Sequence, residues 1–575
     1  MKKTKLHRAA LAAALALLLL AVLAACGPDK GPDAGSDRSV TDTVSAPTAE
    51  DTASPALILS EGGRVSVRII MPDLPTDAEK EATLEISEYI RKVCGSIPEV
   101  TTDLLIKKVP EGSPVILVGS TALAPSREAA EKLDYGCWSV TVGGNCIVAA
   151  GMGDNAIKEA ASALKNAFSG DRKTGELLLA SDTALGGTSA PLAAALPRFG
   201  GGEYVNLYDA GDGYQLLLYR RASAAEYDSY LDLLAAAGYR KTAGNTIDGN
   251  RFDFYLCDSA EAALSFFPSS GEVRISVGAP SAVNGSDGVT VCTPELTMVG
   301  LAFDTKNNGT LYGNGLSIVI RLADGRFIIV DGGGKNDTHA KNLYDVLRAQ
   351  APDPENIVVA AWILTHAHID HVGTLYQFSR SYTQKLTVQN FIYNFPGYAY
   401  YSSLSADSED GGTGMSDDIR ASVGRFEGAS VIKAHLGQRF EFSGAEIEIL
   451  YTVEANYPHA VSANGNSTSM VFSVTLGGKK IMITGDCAVD ASNIICRYYS
   501  SALKSDYVTV VHHGMGGATT QLYSLIDPDI VLWPSSREVY EQTRSRDYNV
   551  HLLNNLHVKE VHVAGSDIYT VQLTG

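Results

Sequence analysis

The stretch Thr365-His366-Ala367-His368-Ile369-Asp370-His371 restricts the folding of this chain more than any other. It follows directly on Ile357 to Leu364, an apolar run rich in Val, Ile and Ala with one Trp, which reads as a buried strand. The strand ends at Thr365, and three histidines and an aspartate crowd into the next six residues. In extended backbone alternate residues share a face, so His366, His368 and Asp370 are expected to converge on one point and His371 on a neighbouring one. Neutral imidazole and carboxylate are good ligands for zinc and similar divalent ions. Four such residues after a buried strand make a candidate metal site. The bland alternative is a polar loop whose histidines happen to cluster.

A chain of 575 residues is too long for one core, so several domains are expected. Apolar residues at 45% and charged residues at 19% fit a globular protein rather than a disordered one. The formal net charge of −19 repels phosphate backbones at long range. It argues against strong nucleic-acid binding while leaving room for a local basic groove.

The N-terminus reads as a targeting segment. Lys2, Lys3, Lys5 and Arg8 precede an uninterrupted apolar run from Ala9 to Leu23, short for a spanning helix and flanked like a signal peptide. Leu23-Ala24-Ala25-Cys26-Gly27 resembles a bacterial lipobox. That resemblance implies removal of the leader 1–26, a lipid on Cys26, and anchoring to the extracellular face of the cell membrane. Residues 27–55 are rich in Gly, Pro, Asp, Ser, Thr and Ala and read as a disordered tether.

The other cysteines are Cys94, Cys137, Cys146, Cys257, Cys292, Cys487 and Cys496, with no C-x-x-C pair. An odd number spread over a long chain is not a disulfide framework. A bridge from Cys137 to Cys146 across a hairpin stays open. Cys487 follows Asp486 and reads as core packing, because neighbours in a strand face opposite ways.

Residues 56–187 read as an α+β accessory unit. Its expected elements are strands at Val65–Ile70 and Val115–Val118, helices at Asp77–Cys94 and Asn155–Phe168, and a hairpin turning at Gly143-Gly144. Val115-Ile116-Leu117-Val118-Gly119-Ser120 and Val148-Ala149-Ala150-Gly151 resemble, weakly, the small domain ahead of the barrel in α-glucuronidases and β-hexosaminidases. Thr188 to Pro197 reads as a linker. Residues 198–290 read as a second small α+β unit, with strands at Tyr214–Tyr219 and Phe252–Leu256 and a helix at Ala224–Ala237. No catalytic spacing occurs in it.

Residues 295–575 carry the chemistry, and four landmarks there resemble the metallo-β-lactamase superfamily. They are H-x-H-x-D-H at 366–371, the strand Arg326 to Val330 ending in Asp331-Gly332-Gly333, the strand Lys480 to Thr484 leading to Gly485-Asp486, and Tyr507 to Val511 leading to His512-His513-Gly514. The resemblance implies an α/β class and an αββα sandwich. It implies two divalent metal ions, zinc first, with manganese or iron as alternatives. His366 and His368 would bind one ion, Asp370 and His371 the other, and Asp486 would bridge them. One of His512 and His513 would complete the second ion's ligand set, since strand neighbours face apart. A third histidine for the first ion is sought in the loop at His459, with His435 poorly placed. Asp331 would act through hydrogen bonds to the ligand loop.

Asn464 to Ser469, Gly485-Asp486, His512-His513-Gly514 and Pro528 to Trp533 resemble more narrowly the soluble domain of competence DNA-uptake channels. That domain is regarded as nuclease-like. By the same resemblance His551, in Tyr548-Asn549-Val550-His551, would contact a substrate phosphate or donate a proton. Met515 departs from the Ser usual in that group. The implied reaction is attack by a metal-bound hydroxide oriented by Asp370, most readily on a phosphodiester. The alternatives are an esterase acting on cell-wall or teichoic-acid polymer, and a non-catalytic surface protein whose metal is structural. The polar stretch Gly397–Gly428 is a candidate substrate lid or a surface loop.

Overall fold

A computed structural model describes residues 56–301, 313–397, 400, 412–457, 465–565 and 568–574. Cys26, the tether and His459 lie outside the described residues. No described helix is long and apolar enough to cross a membrane.

The front part of the described chain builds a six-stranded sheet with a parallel centre at Arg68–Met71, Val115–Val118 and Cys146–Gly151. The helix Asp77–Cys94 starts and stops where its sequence dictates. Thr76 and Glu79 form a reciprocal capping box, and Gly95 ends the helix at φ 76°. Its buried face is Ala82, Ile86, Ile90 and Val93. The strand expected at Val65–Ile70 is interrupted and divides into Arg64–Val65 and Arg68–Met71. Cys137 and Cys146 are not joined by a disulfide. The hairpin register pairs Cys146 with Gly143 at the turn and leaves Cys137 at the opposite end, so no bridge can form.

The linker expected at Thr188–Pro197 is built into the fold. Ala184–Thr188 pairs with Cys137–Gly143, and Ala190, Ala193 and Leu196 are buried in a core shared with the next sheet. That sheet is six-stranded and antiparallel, from Glu203–Gly211 to Glu272–Gly278. One of its strands, Arg240–Ile247, is exposed along nearly all its length, which is why no apolar alternation announces it.

From Glu295 onward two sheets lie face to face. The first runs from Ser430–Lys433 through Asn390–Tyr393, Ile357–Ile363, Phe327–Asp331, Ser317–Arg321 and Glu295–Met298 to Tyr569–Gln572. The second runs from Arg439–Phe442 to Glu560–Val563. Ile318, Ile328, Ala361, Ile449, Phe472 and Ile483 pack between them. Helices Asp337–Gln350 and Ile369–Ser381 cover the first sheet, and Val489–Tyr498 and Thr520–Ile526 cover the second. This is the expected αββα sandwich. Ile357–Ile363 is buried on both faces, which accounts for its continuous apolar run. Part of the stretch read as a polar lid is helical, over Gly412–Val423, and Lys335 holds Asp418 on it at 2.9 Å.

The antiparallel front sheet is fastened to the sandwich. Phe252 and Phe267 share a core with Tyr451 and Tyr498, and Phe267 stacks on Tyr498 with ring centroids 3.8 Å apart. Arg274, 3% exposed, donates to the carbonyl oxygens of Glu454 and, at 2.8 Å, Tyr457.

Candidate metal centre

The centre lies where strands of both sheets end side by side. Asp331 closes Phe327–Asp331 with φ 52°, a left-handed conformation that turns its carboxylate toward the next strand end. Its Oδ1 accepts from the Thr365 backbone N–H at 2.8 Å, and Oδ2 accepts from the Thr365 hydroxyl at 2.7 Å. The same Oδ2 lies 2.7 Å from His371 Nδ1. Gly485, at φ 52°, makes the turn that presents Asp486, whose N–H donates to Ser469 Oγ at 3.1 Å.

Two sets of donors converge here. One contains Asp370, His371, Asp486 and His513, the other His366, His368 and Asp486, with the ligand atoms of each set within 4.8 Å of one another. Asp486 belongs to both. The expectation that His366, His368 and Asp370 share one point is corrected. His368 is the N-cap of the helix Ile369–Ser381, so the alternation of extended chain ends there and the first helical turn carries Asp370 and His371 to the other set.

His512 and His513 are not strand neighbours that face apart. They occupy consecutive left-handed positions, φ 47° and φ 52°, and both rings approach Asp486. His513 Nε2 lies 3.3 Å and His512 Nε2 3.7 Å from Asp486 Oδ2. His551 does not enter either set: it sits on the helix Asp547–Asn555 and meets Ser524 Oγ at 2.7 Å and Asn555 at 3.3 Å. His435 pairs with Glu454 at 3.0 Å away from both sets. Cys487 is buried core, against Ser492.

The protonation pattern tests whether these residues suit a cation. Asp331 accepts at His371 Nδ1, and the Pro534 carbonyl accepts at His513 Nδ1 at 2.7 Å. Each ring proton is thereby placed on Nδ1, and each Nε2 is left as a lone pair. These two lone pairs face each other across 3.1 Å. Around them stand Asp486 Oδ1, 3.1 Å from His371 Nε2, and Asp370 Oδ2, 3.2 Å from His513 Nε2. Four acceptors pointing at one spot demand positive charge between them. Four ligands on a zinc-sized ion at about 2.1 Å stand roughly 3.4 Å apart, which matches these spacings.

The proton affinities carry the same message. Burial would lower His371, yet the carboxylates of Asp486, Asp370 and Asp331 hold it well above the ordinary histidine value. His513 is raised to about 9, with burial outweighed by Asp486 and the hydrogen bond to Asp370. Asp486 is held well below the ordinary carboxylate range, because the charges of His371 and His513 overcome burial. In the other set His366 is pushed down, first by burial and then by His371, so it presents a neutral lone pair. Its Nε2 is buried with no hydrogen-bond partner.

Asn314 escapes a sequence reading. Its Nδ2 donates to Asp370 Oδ2, and its backbone bridges to Ser535 from the other side of the centre. Its one visible signal is the local Gly313-Asn314-Gly315, which has no ligand spacing.

The profile of the Metallo-beta-lactamase superfamily matches residues 312–437. No curated protein matches the chain. Among solved structures, the metallo-beta-lactamase fold protein YhfI from Bacillus subtilis is 11% identical, with 48% of this chain and 100% of that one covered and a TM-score of 0.27. CmlA, a diiron beta-hydroxylase from Streptomyces venezuelae, is 13% identical over 49% of this chain and 55% of that one, with a TM-score of 0.29. A metallo-beta-lactamase from Cronobacter sakazakii is 14% identical over 45% and 88%, with a TM-score of 0.24.

Proposed function

We propose that this chain is an exported metal-dependent hydrolase acting on a phosphodiester, a reading supported by the match of residues 312–437 to the Metallo-beta-lactamase superfamily profile. The observation that carries the hydrolytic reading is the pair of donor sets joined by Asp486, with imidazole lone pairs and carboxylates aimed at one another. His366, His368 and Asp486 would hold one divalent ion, and Asp370, His371, Asp486 and His513 the second. Such ions, when bound, supply Lewis acidity toward water and toward the attacked oxygen.

The remaining work belongs to the chain. Asp331 holds the His371 ring by its Nδ1 proton and the ligand loop by Thr365. Pro534 does the same for His513. Asn314 occupies one oxygen of Asp370 and so fixes the direction of that carboxylate. His366, His371 and His513 are fully enclosed, whereas the side chains of Asp370 and His512 are 20% and 26% exposed. Substrate therefore approaches over Asp370 and His512. The Cys26 lipid would tether the enzyme to the outer membrane face, within reach of extracellular polymer.

Purified protein supplied with zinc or manganese is expected to cleave bis(p-nitrophenyl)phosphate, and His368→Ala to lose that activity. Equal rates for the two proteins would sink the phosphodiesterase reading. Release of ester products from wall or teichoic-acid polymer, with no cleavage of the phosphodiester, would shift the assignment to an esterase. One tightly held ion and no turnover of either substrate would make the metal structural.

A further inference from the structure

Resting on that two-ion reading, we infer that His512 supplies the third imidazole to the ion held by His366, His368 and Asp486. The two donor sets are unequal: one offers four residues and the other three. His512 Nε2 stands 3.7 Å from Asp486 Oδ2, and His366 Nε2, a member of the smaller set, stands 4.0 Å from that same oxygen. His512 thus stands as near that oxygen as His366 does, although it lies outside the group whose ligand atoms are all within 4.8 Å of one another. Asn466 Nδ2 lies 3.5 Å from His512 Nε2, at the outer limit of a hydrogen bond.

The backbone is shaped for this. An ordinary strand would turn His512 away from a site that takes His513. Here both residues are left-handed, at φ 47°, ψ 49° and φ 52°, ψ 18°, a conformation that non-glycine side chains seldom adopt twice in succession. It brings both imidazoles to one carboxylate. His513, locked to Pro534, serves one ion, and His512, at the open edge, serves the other.

The full-length chain is stripped with chelator and titrated with Zn²⁺, with stoichiometry measured by elemental analysis and affinity by competition with a chromophoric chelator. Wild type is expected to take up two ions. His512→Ala and His512→Gln are expected to keep one unchanged and to weaken the other by at least roughly a hundredfold, more than the loss of a supporting hydrogen bond would cost. His459→Ala is expected to match wild type. In the Co²⁺-loaded protein His512→Gln is expected to lose visible absorption intensity from one ion alone. Two ions at wild-type affinity in both His512 variants would overturn the inference, as would single-ion loss in His459→Ala. A wild-type chain that binds no divalent cation would instead remove the metal reading itself.

Discussion

Asp331 Oδ2 and His371 Nδ1 lie 2.7 Å apart, both with fully buried side chains. This contact decides which nitrogen of His371 is left for a ligand. Asp331→Asn would present an amide that can turn its NH₂ toward Nδ1 and move the ring proton to Nε2. The affinity for one ion is expected to fall roughly 10–100-fold, as for other groups that orient a metal-ligating histidine. Competition with a chromophoric chelator measures it, and unchanged affinity would show that the contact is packing alone.

Asp486 belongs to both donor sets, so it has no substitute. Asp486→Ala is expected to lower hydrolytic turnover by at least about a thousandfold, the upper end of the loss seen when one preorganised charge-stabilising group is removed. Metal stoichiometry is expected to fall with it. A variant that keeps two ions and most of its activity would refute the bridging role.

Removal of metal is expected to lower the melting temperature. A cation present at a hundred times its dissociation constant contributes about 2.7 kcal/mol to stability. Chelator strips that contribution and leaves His371 and His513 facing carboxylates across protons instead. Differential scanning calorimetry with and without chelator reads the difference, and coincident transitions would argue against specific binding.

Arg274 is buried and holds the antiparallel front sheet to the sandwich through the carbonyls of Glu454 and Tyr457. Arg274→Ala leaves those acceptors without their donor and strips Glu272 of its ion-pair partner at 2.8 Å. The expected cost is about 3–5 kcal/mol. Urea unfolding followed by tryptophan fluorescence checks it. A loss under about 1 kcal/mol would mean that water replaces the guanidinium.

Glu454 gives the same interface an acid limit. Burial would raise its carboxyl, but His435, to which it is hydrogen-bonded, and Lys433 hold it below its ordinary value of 4.5. A group whose folded pKa is depressed contributes stability above its unfolded pKa and loses it as pH falls through the folded value. The wild-type urea midpoint is therefore expected to drop below pH 4.5, and Glu454→Gln to be destabilised near neutrality with a flatter acid dependence. Parallel pH profiles for the two proteins would contradict this.

Much of the sandwich could be read from residue order. Ile357–Ile363 is apolar on both faces because both faces are covered, and a six-residue ligand cluster cannot be mistaken for packing once Asp486 and His513 meet it. What escaped the sequence was conformational. No pattern marks the helix beginning at Ile369, which hands Asp370 to the second set, or the paired left-handed residues at His512 and His513. Arg240–Ile247 is an exposed strand held by register rather than by apolar alternation. Arg274 docks one sheet on another through backbone carbonyls, which carry no side-chain signature.

Tyr569–Gln572 pairs in register with Glu295–Met298, and Thr297 and Thr570 meet side chain to side chain at 3.1 Å. The first sheet therefore gains its outermost strand from a segment translated long after the rest of it. A ribosome-bound chain presents Glu295–Met298 as an open edge, available to any extended peptide. Closure awaits the arrival of Tyr569, so this half of the protein must be kept from aggregating until its synthesis has reached that point.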